Sequence, residues 1–501
     1  MLRRVFAFSA GTLVSRVLGL LRDTLIAYTL GAQGLSDVFL AAFRLPNLFR
    51  SYFAEGALSA SFVPIYARRL INRDVPQRFA SQVFSSLLVF LSVFCLCMLA
   101  FTPQILGVFT PGFSAGSYKF NLAVELSRIM MVYLFCMSLS SVVCAVLQAH
   151  NCFFVTAISP VLLNCCVIIS GLVPHWGASP VYYFSVAVSL SGVLQLALTL
   201  FVAARKDTGM KFTLWPRDSD MREFLKRAMM STLSGCITQV NLWLNTLFAS
   251  FIPGAISYMY YADRLNQLPQ ALVGISMSTV LLPAISKLAV EGSTQRMIEM
   301  QNNALDLGMT LMVPAAAALI AIPDALLLAL LNYGRFDYLA IGNTVPVVAV
   351  LATSLPSFIV IKILLLFFYA RGEFKIPAFF SFISVVVNAL LSYVLMQFLG
   401  HVGIAIASSA GSWTYAILLL VYLKMHNLYG MSEELSRKLT YIFLSSAIMV
   451  TVICMMKTLL TPFFFQGAVV KISSLIVVVL LGVLVYFFSL LVMFRQKLAV
   501  E

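Results

Sequence analysis

The stretch DVFLAAFRLPNLFRSYFAEGALSASFVPIYARR, residues 37–69, carries the pattern that decides how this chain folds. It is apolar enough for a bilayer, yet it holds Arg44 and Arg50 in its interior and ends on the basic pair Arg68-Arg69. A continuous helix of this length would be about 50 Å long at 1.5 Å per residue, against a hydrocarbon layer of about 30 Å. Pro46, Gly56 and Pro64 offer places to bend it. A second stretch, SYMYYADRLNQLPQALVGISMSTVLLPAISK at 257–287, repeats the design. Arg44-Leu45 aligns with Arg264-Leu265, 220 residues later, Pro64 aligns with Pro283, and Pro269 and Gly274 again supply bends. Repeats of this kind are a hallmark of transporters, where interrupted helices line a cavity.

The rest of the chain fits that setting. Of 501 residues 61% are hydrophobic and 10% charged, with a mean hydropathy of +0.96. A soluble domain carries about 25% charged residues, so the solvent of this chain is largely lipid, and disorder is excluded by the same numbers. The longest clearly polar stretch, 205–227, leaves little room for a water-soluble catalytic domain. The formal charge of +14 does not indicate nucleic acid, because the basic residues lie in short loops between apolar runs. Most of the nine cysteines fall inside apolar runs, without zinc-site spacing, and read as small apolar residues. Arg3 and Arg4 precede an apolar run, but Arg16 and Arg22 lie within it and no small-residue cleavage site follows, so a cleaved signal peptide is not expected.

Fourteen spans are expected, at 5–29, 35–68, 80–109, 120–148, 155–173, 180–204, 225–250, 256–288, 303–331, 343–369, 377–398, 402–424, 438–460 and 469–493. The runs are continuous rather than alternating, which excludes a β-barrel. Basic residues number 22 in loops on the side of the N-terminus and 4 on the other, which puts both termini in the cytoplasm. The expected fold is an all-α polytopic membrane protein of two six-helix lobes plus two appended helices. Its divisions are an N-terminal lobe 1–204, a cytoplasmic loop 205–227, a C-terminal lobe 228–425, and spans 13 and 14 in 426–501. The repeat is parallel, and it predicts rocking of one lobe against the other.

Seven basic residues lie inside spans: Arg16, Arg22, Arg44, Arg50, Arg128, Arg264 and Lys362. Each costs roughly 2.5–3.5 kcal/mol at mid-span if it faces lipid, so they must face a wet cavity, a protein partner or a substrate. Arg16 shares a helix face with Asp23, and Asp37 with Arg44; Arg128 with Glu125 reads as a local ion pair. Arg22, Arg50 and Arg264 have no carboxylate three or four residues away. That shortage points to an anionic cargo, since guanidinium forks suit diphosphate and carboxylate. No Walker motif, metal-ligand spacing or hydrolase set is present, so neither an enzyme nor a metal or other cofactor is expected.

SRVLGLLRDTLIAYTLGAQGLSDVFLAAFRLPNLFRSYFAEGALSASFVPIYA (15–67), NTLFASF with MYYADRL (245–265), TVLLPAIS (279–286), NYGRF (332–336) and FYARGEFKIP (368–377) resemble the MurJ (MviN) family of lipid II flippases. The resemblance covers about residues 1–430. It implies a transporter of the bacterial cytoplasmic membrane that flips undecaprenyl-diphosphate-linked disaccharide-peptide outward, with membrane lipids and the cell-wall synthesis complex as partners. The family's essential arginines carry onto Arg16, Arg22, Arg50 and Arg264, its acidic cavity or gating positions onto Asp23 and Asp37, and its intramembrane lysine onto Lys362; Arg44 is a further candidate. Spans 13 and 14 would form the groove for the lipid tail. Where some members have a glutamate, this chain has Gln267, which puts any role for that carboxylate in doubt. Alternatives are an exporter of another polyprenyl-diphosphate oligosaccharide and a drug antiporter of similar fold, whose organic cation the arginines would repel. The second lobe is poor in within-span acids, so drive by membrane potential is expected rather than by a sodium gradient.

Overall fold

A computed structural model of the chain describes residues 2–53, 57–71, 76–150, 152–174, 177, 179–206, 208–210, 212–213, 219–291 and 293–498, with side chains described from Ser15 onward except at 51–60, 153, 157, 219, 230–238, 272–280, 282–284, 286, 289–290 and 494–498. Among these residues there are eighteen α-helices, one 3₁₀ turn and no strand. In the first part run α1 (Leu2–Leu30), α2 (Leu35–Phe53), α3 (Ala57–Ile71), α4 (Pro76–Ala100), α5 (Thr102–Phe109), α6 (Tyr118–Ala149), α7 (Phe153–Leu172) and α8 (Pro180–Arg205). The second part holds α9 (Ser219–Ala249), α10 (Ala255–Val290), α11 (Thr294–Ala321), α12 (Pro323–Leu330), α13 (Tyr338–Ala352), α14 (Leu355–Ala370), α15 (Lys375–Leu399) and α16 (His401–Met425). The appended pair is α17 (Glu433–Leu460) and α18 (Ala468–Leu498), joined through the 3₁₀ turn Thr461–Phe465.

The repeat inferred from Arg-Leu and Pro positions recurs in the helix ends. The eight-residue helices α5 and α12 begin and end 221 residues apart, α2 and α10 begin 220 apart, and α6 and α13 begin 220 apart. The chain is therefore an all-α polytopic protein of two like halves and an added pair. Among the described residues each of the fourteen expected stretches falls on helix, and ten stretches are long and apolar enough to cross a membrane by length and composition. The other four stretches lie on α1, on α2 with α3, on α9 and on α10, which hold Arg16, Arg22, Arg44, Arg50 and Arg264.

Three expected spans contain breaks that the sequence reading treats as continuous helix. Stretch 80–109 bends at Phe101 and 303–331 at Ile322, each followed by a proline at the start of the short helix. Proline lacks the amide that would continue the ladder. Stretch 343–369 is interrupted at Thr353-Ser354, with Pro356 in the first turn of α14. Lipid offers no partners for the carbonyls such a break frees. Here the Val350 carbonyl accepts from the Thr353 amide at 3.1 Å and its hydroxyl at 2.6 Å, with Ser409 Oγ of α16 adding a bond at 3.0 Å, while the Thr353 carbonyl accepts from Trp413 Nε1 of α16 at 2.9 Å.

The chain divides into two compact units, Met1–Ser257 and Tyr258–Glu501. In the first, α6 packs on α8 and α2, α1 on α7, and α9 on α3. Sequence reasoning places the lobe border in 205–227; by packing, α9 belongs with the first unit. Phe62, Tyr66, Phe79, Val142 and Phe224 form a buried cluster where α3, α4, α6 and α9 meet, with Phe62 stacked on both Tyr66 and Phe79 at 5.3 Å. In the second unit α15 packs on α16, α11 on α14, and α17 on both α11 and α18. Two ion pairs fix α17 to its neighbours: Lys438 Nζ to Asp306 at 3.0 Å and Lys457 Nζ to Asp324 at 2.6 Å.

Candidate functional site

In the first unit the charges inside spans meet protein groups that local spacing does not reveal. Arg22 lies on α1 with 6% of its surface exposed. Its Nε and Nη2 donate to Asp23 Oδ1 at 3.0 and 2.7 Å, and its Nη1 donates to Asn164 Oδ1 of α7 at 3.1 Å. Asn164 Nδ2 donates in turn to the Ser15 carbonyl at 2.9 Å. A buried charge needs a partner and further hydrogen bonds to be tolerated, and this set supplies both. Neighbouring residues on a helix point about 100° apart, so the long arginine must curl back to reach Asp23. Arg16, seven residues earlier, is exposed.

Asp37, buried at 3%, sits in the first turn of α2 and reaches the start of α10. Its Oδ2 accepts from the Gly254 amide at 2.6 Å, and its Oδ1 accepts from the Ser257 amide at 3.0 Å and the Ser257 hydroxyl at 2.7 Å. The carboxylate thus takes up amides that a helix start leaves unsatisfied, where negative charge is favoured. The connection between α9 and α10 is held again at Gly112, whose amide donates to Ser250 Oγ at 2.9 Å. A Cβ on Gly112 would stand 2.3 Å from the Ser250 carbonyl, so only glycine fits there.

Arg44, half-buried, donates through Nη1 to Thr246 Oγ1 of α9. Arg50 Nε donates to Asn47 Oδ1 at 2.7 Å. The expected Arg128–Glu125 pair does not form: Glu125 accepts instead from the Tyr182 hydroxyl of α8, and Arg128 is exposed with no ion pair among the described residues. The first turn of α8 lies beside α6 and brings a donor to the carboxylate, which leaves the arginine on the open face.

In the second unit, Arg264 Nη1 donates to Gln267 Oε1 at 3.0 Å and its Nη2 to the Tyr260 hydroxyl at 2.9 Å, with the guanidinium 4.9 Å over the Tyr260 ring. Gln267 Nε2 donates to Asp263 Oδ2 at 2.6 Å. The amide therefore bridges an acid and a base, accepting from one and donating to the other. A carboxylate at 267 could do only the first. Lys362, on α14, is exposed and lies 5.5 Å over the Phe358 ring.

The structure thus joins Arg22 to Asp23 and Arg264 to Gln267, and gives Asp37 and Arg44 partners on the segment 246–257. Sequence reasoning missed Asn164, Thr246, Asn47 and Tyr260 as arginine partners. Asn164 was detectable as an amide in an otherwise apolar run; the others carry no signal beyond ordinary composition. A further cluster joins the end of α3 to the start of α9: Arg68 meets Asp220 at 3.0 Å and Glu223 at 2.9 Å, Arg69 meets Asp220 at 2.6 Å, and Arg227 meets Glu223 at 2.6 Å. Among the described residues no group of three or more His, Cys, Asp or Glu side chains could hold a metal ion.

The sequence model of the family described as Lipid II flippase MurJ matches residues 26–486. The chain is 33% identical over 479 residues to a protein of Rickettsia prowazekii (strain Madrid E) named "Probable lipid II flippase MurJ", covering 95% of this chain and 94% of that one. Among solved structures it is similar to "Lipid II flippase MurJ, inward closed conformation", with a TM-score of 0.80, 25% identity and coverage of 98% and 99%. It also shares a fold with an inward-facing multidrug transporter of the MATE family, at a TM-score of 0.67, 16% identity and coverage of 82% and 94%.

Proposed function

Because the chain belongs to the lipid II flippase MurJ family, we propose that it moves lipid-linked peptidoglycan precursor from the cytoplasmic to the outer leaflet of the bacterial inner membrane by alternating access. The observation that carries this reading is the family match through residues 26–486, which takes in the in-span arginines Arg44, Arg50 and Arg264 together with both copies of the repeat. A lipid-linked diphosphate is an anion that must pass a layer hostile to charge. Guanidinium forks at depth replace part of its hydration, and bidentate geometry selects phosphate over a simple halide. The resemblance to a drug transporter concerns the fold alone, and an organic cation has no use for arginines at such depth.

In this reading both termini are cytoplasmic, the two appended helices accept the lipid tail, and the unloaded protein with its in-span arginines returns inward under the membrane potential. One elementary charge crossing the field gains about 2.3 kcal/mol per 100 mV, enough to bias a cycle without a coupled ion. The test is translocation of lipid II read by side-specific labelling in cells depleted of their own flippase. Expression of this chain restores labelling at the outer face, and Arg50→Ala and Arg264→Ala abolish it while the protein still inserts. Unrestored labelling with inserted wild-type protein overturns the reading. Collapsing the potential at fixed sodium stops the cycle; transport that follows sodium at zero potential refutes the proposed drive.

A further inference from the structure

The connection between α17 and α18 reads TPFFFQGAVVK, residues 461–471. Phe464 is buried, whereas Phe463, Phe465 and Val469 are 43%, 58% and 80% exposed. Phe465 lies 6.2 Å from the ring of Tyr338, itself exposed. A turn that presents two phenylalanines and a valine to its surroundings belongs in the interfacial layer of a membrane rather than in water.

Lys471 follows in the first turns of α18, 7% exposed, with its ammonium 5.4 Å over the ring of Tyr333. Among the described residues no carboxylate or hydrogen-bond acceptor meets that ammonium. The position is unfavourable for a cation twice over: it is desolvated, and it lies near a helix N-terminus whose first turn holds no acid. A cation–π contact returns about 0.5–2 kcal/mol, less than the several kcal/mol that a shielded charge costs. The remaining demand is for an anion. The other lysine at this end of α17, Lys457, is already neutralised by Asp324.

We propose that this turn docks one anionic glycerophospholipid, with its phosphodiester on the Lys471 ammonium and its acyl chains against Phe463 and Phe465. The phosphodiester of a phosphatidylglycerol headgroup is the anion that the bilayer itself offers to this ammonium, and its acyl chains suit the exposed phenylalanines.

The experiment is native mass spectrometry of the whole purified protein, titrated with phosphatidylglycerol, phosphatidylcholine or undecaprenyl diphosphate. Wild-type protein retains phosphatidylglycerol over phosphatidylcholine by about fivefold more than Lys471→Met does, the contribution of one lysine near a membrane surface. Lys471→Arg keeps the preference, and raised ionic strength lowers it in the wild type. Phosphatidylglycerol retention that is equal in wild type and Lys471→Met overturns the proposal. So does displacement of phosphatidylglycerol by equimolar undecaprenyl diphosphate, which makes the cargo the occupant. Should Lys471→Met fail to fold, a wild-type preference insensitive to salt is the overturning result. None of these readouts uses transport, so the docking site stands or falls apart from the flippase reading.

Discussion

At the scale of single residues, the charges inside the spans show where spacing along one helix stops being informative. Arg22 has no acid three or four residues away, yet Asp23 beside it and Asn164 from α7 hold the guanidinium. The acid was legible in the sequence; the Asn164 bond depends on which helix lies against α1, and only the fold supplies that. Asp23→Ala takes the adjacent carboxylate from the buried Arg22 guanidinium, and is expected to destabilise the protein by about 3–5 kcal/mol, read as thermal unfolding in detergent. Arg22→Met in the same chain recovers part of that loss, because the lone charge is then gone. Gln267 makes a second case. Its amide joins Asp263 to Arg264, so Gln267→Glu turns a hydrogen bond into a contact between two carboxylates. A loss of about 1–3 kcal/mol is expected, and Asp263→Asn restores it. Equal stability of Gln267→Glu and wild type would show that the bridge contributes nothing.

Among the elements, the apolar runs were readable because length and composition alone set a membrane helix. The interruptions were only half readable. Pro103, Pro323 and Pro356 are plain in the sequence, but whether a proline kinks a span or starts a new helix depends on who satisfies the freed carbonyls. For α13 and α14 the answer is partly local, from Thr353 to the Val350 carbonyl, and partly Trp413 on the Thr353 carbonyl, more than 50 residues away. The contact of α3 with α9 was not readable at all, since Arg68, Arg69, Asp220 and Glu223 each look like ordinary loop charges. The Arg68 guanidinium bonded to Glu223 holds that carboxyl below its ordinary value of 4.5. A depressed carboxylate contributes stability that is complete above the unfolded value and lost as pH falls through the folded one. Thermal stability is therefore expected to hold from pH 7 to 5 and to drop below about 4.5, and Glu223→Gln should flatten part of that drop. An unchanged acid profile in Glu223→Gln assigns the drop to other carboxylates.

For the molecule as a whole, the repeat was legible from two Arg-Leu pairs and a proline, and the helix ends carry it further than the sequence did. What the sequence could not reveal is that α9, first helix of the second copy by repeat, packs within the first compact unit. It does so at both ends: ion pairs to α3 at one, and at the other the Asp37 carboxylate on Gly254 and Ser257 just beyond it. The first compact unit thus holds α1 and also its counterpart α9. This makes the chain a natural split protein. Cut within 207–218 and expressed as two pieces, it yields a second fragment that begins with its own adhesive helix, and the pieces are expected to co-purify. Asp220→Lys with Glu223→Lys in the second piece should weaken their recovery as a pair. The covalent link through 207–218 is then a convenience of synthesis, and the grip of α9 on the first unit is what a cut there leaves intact.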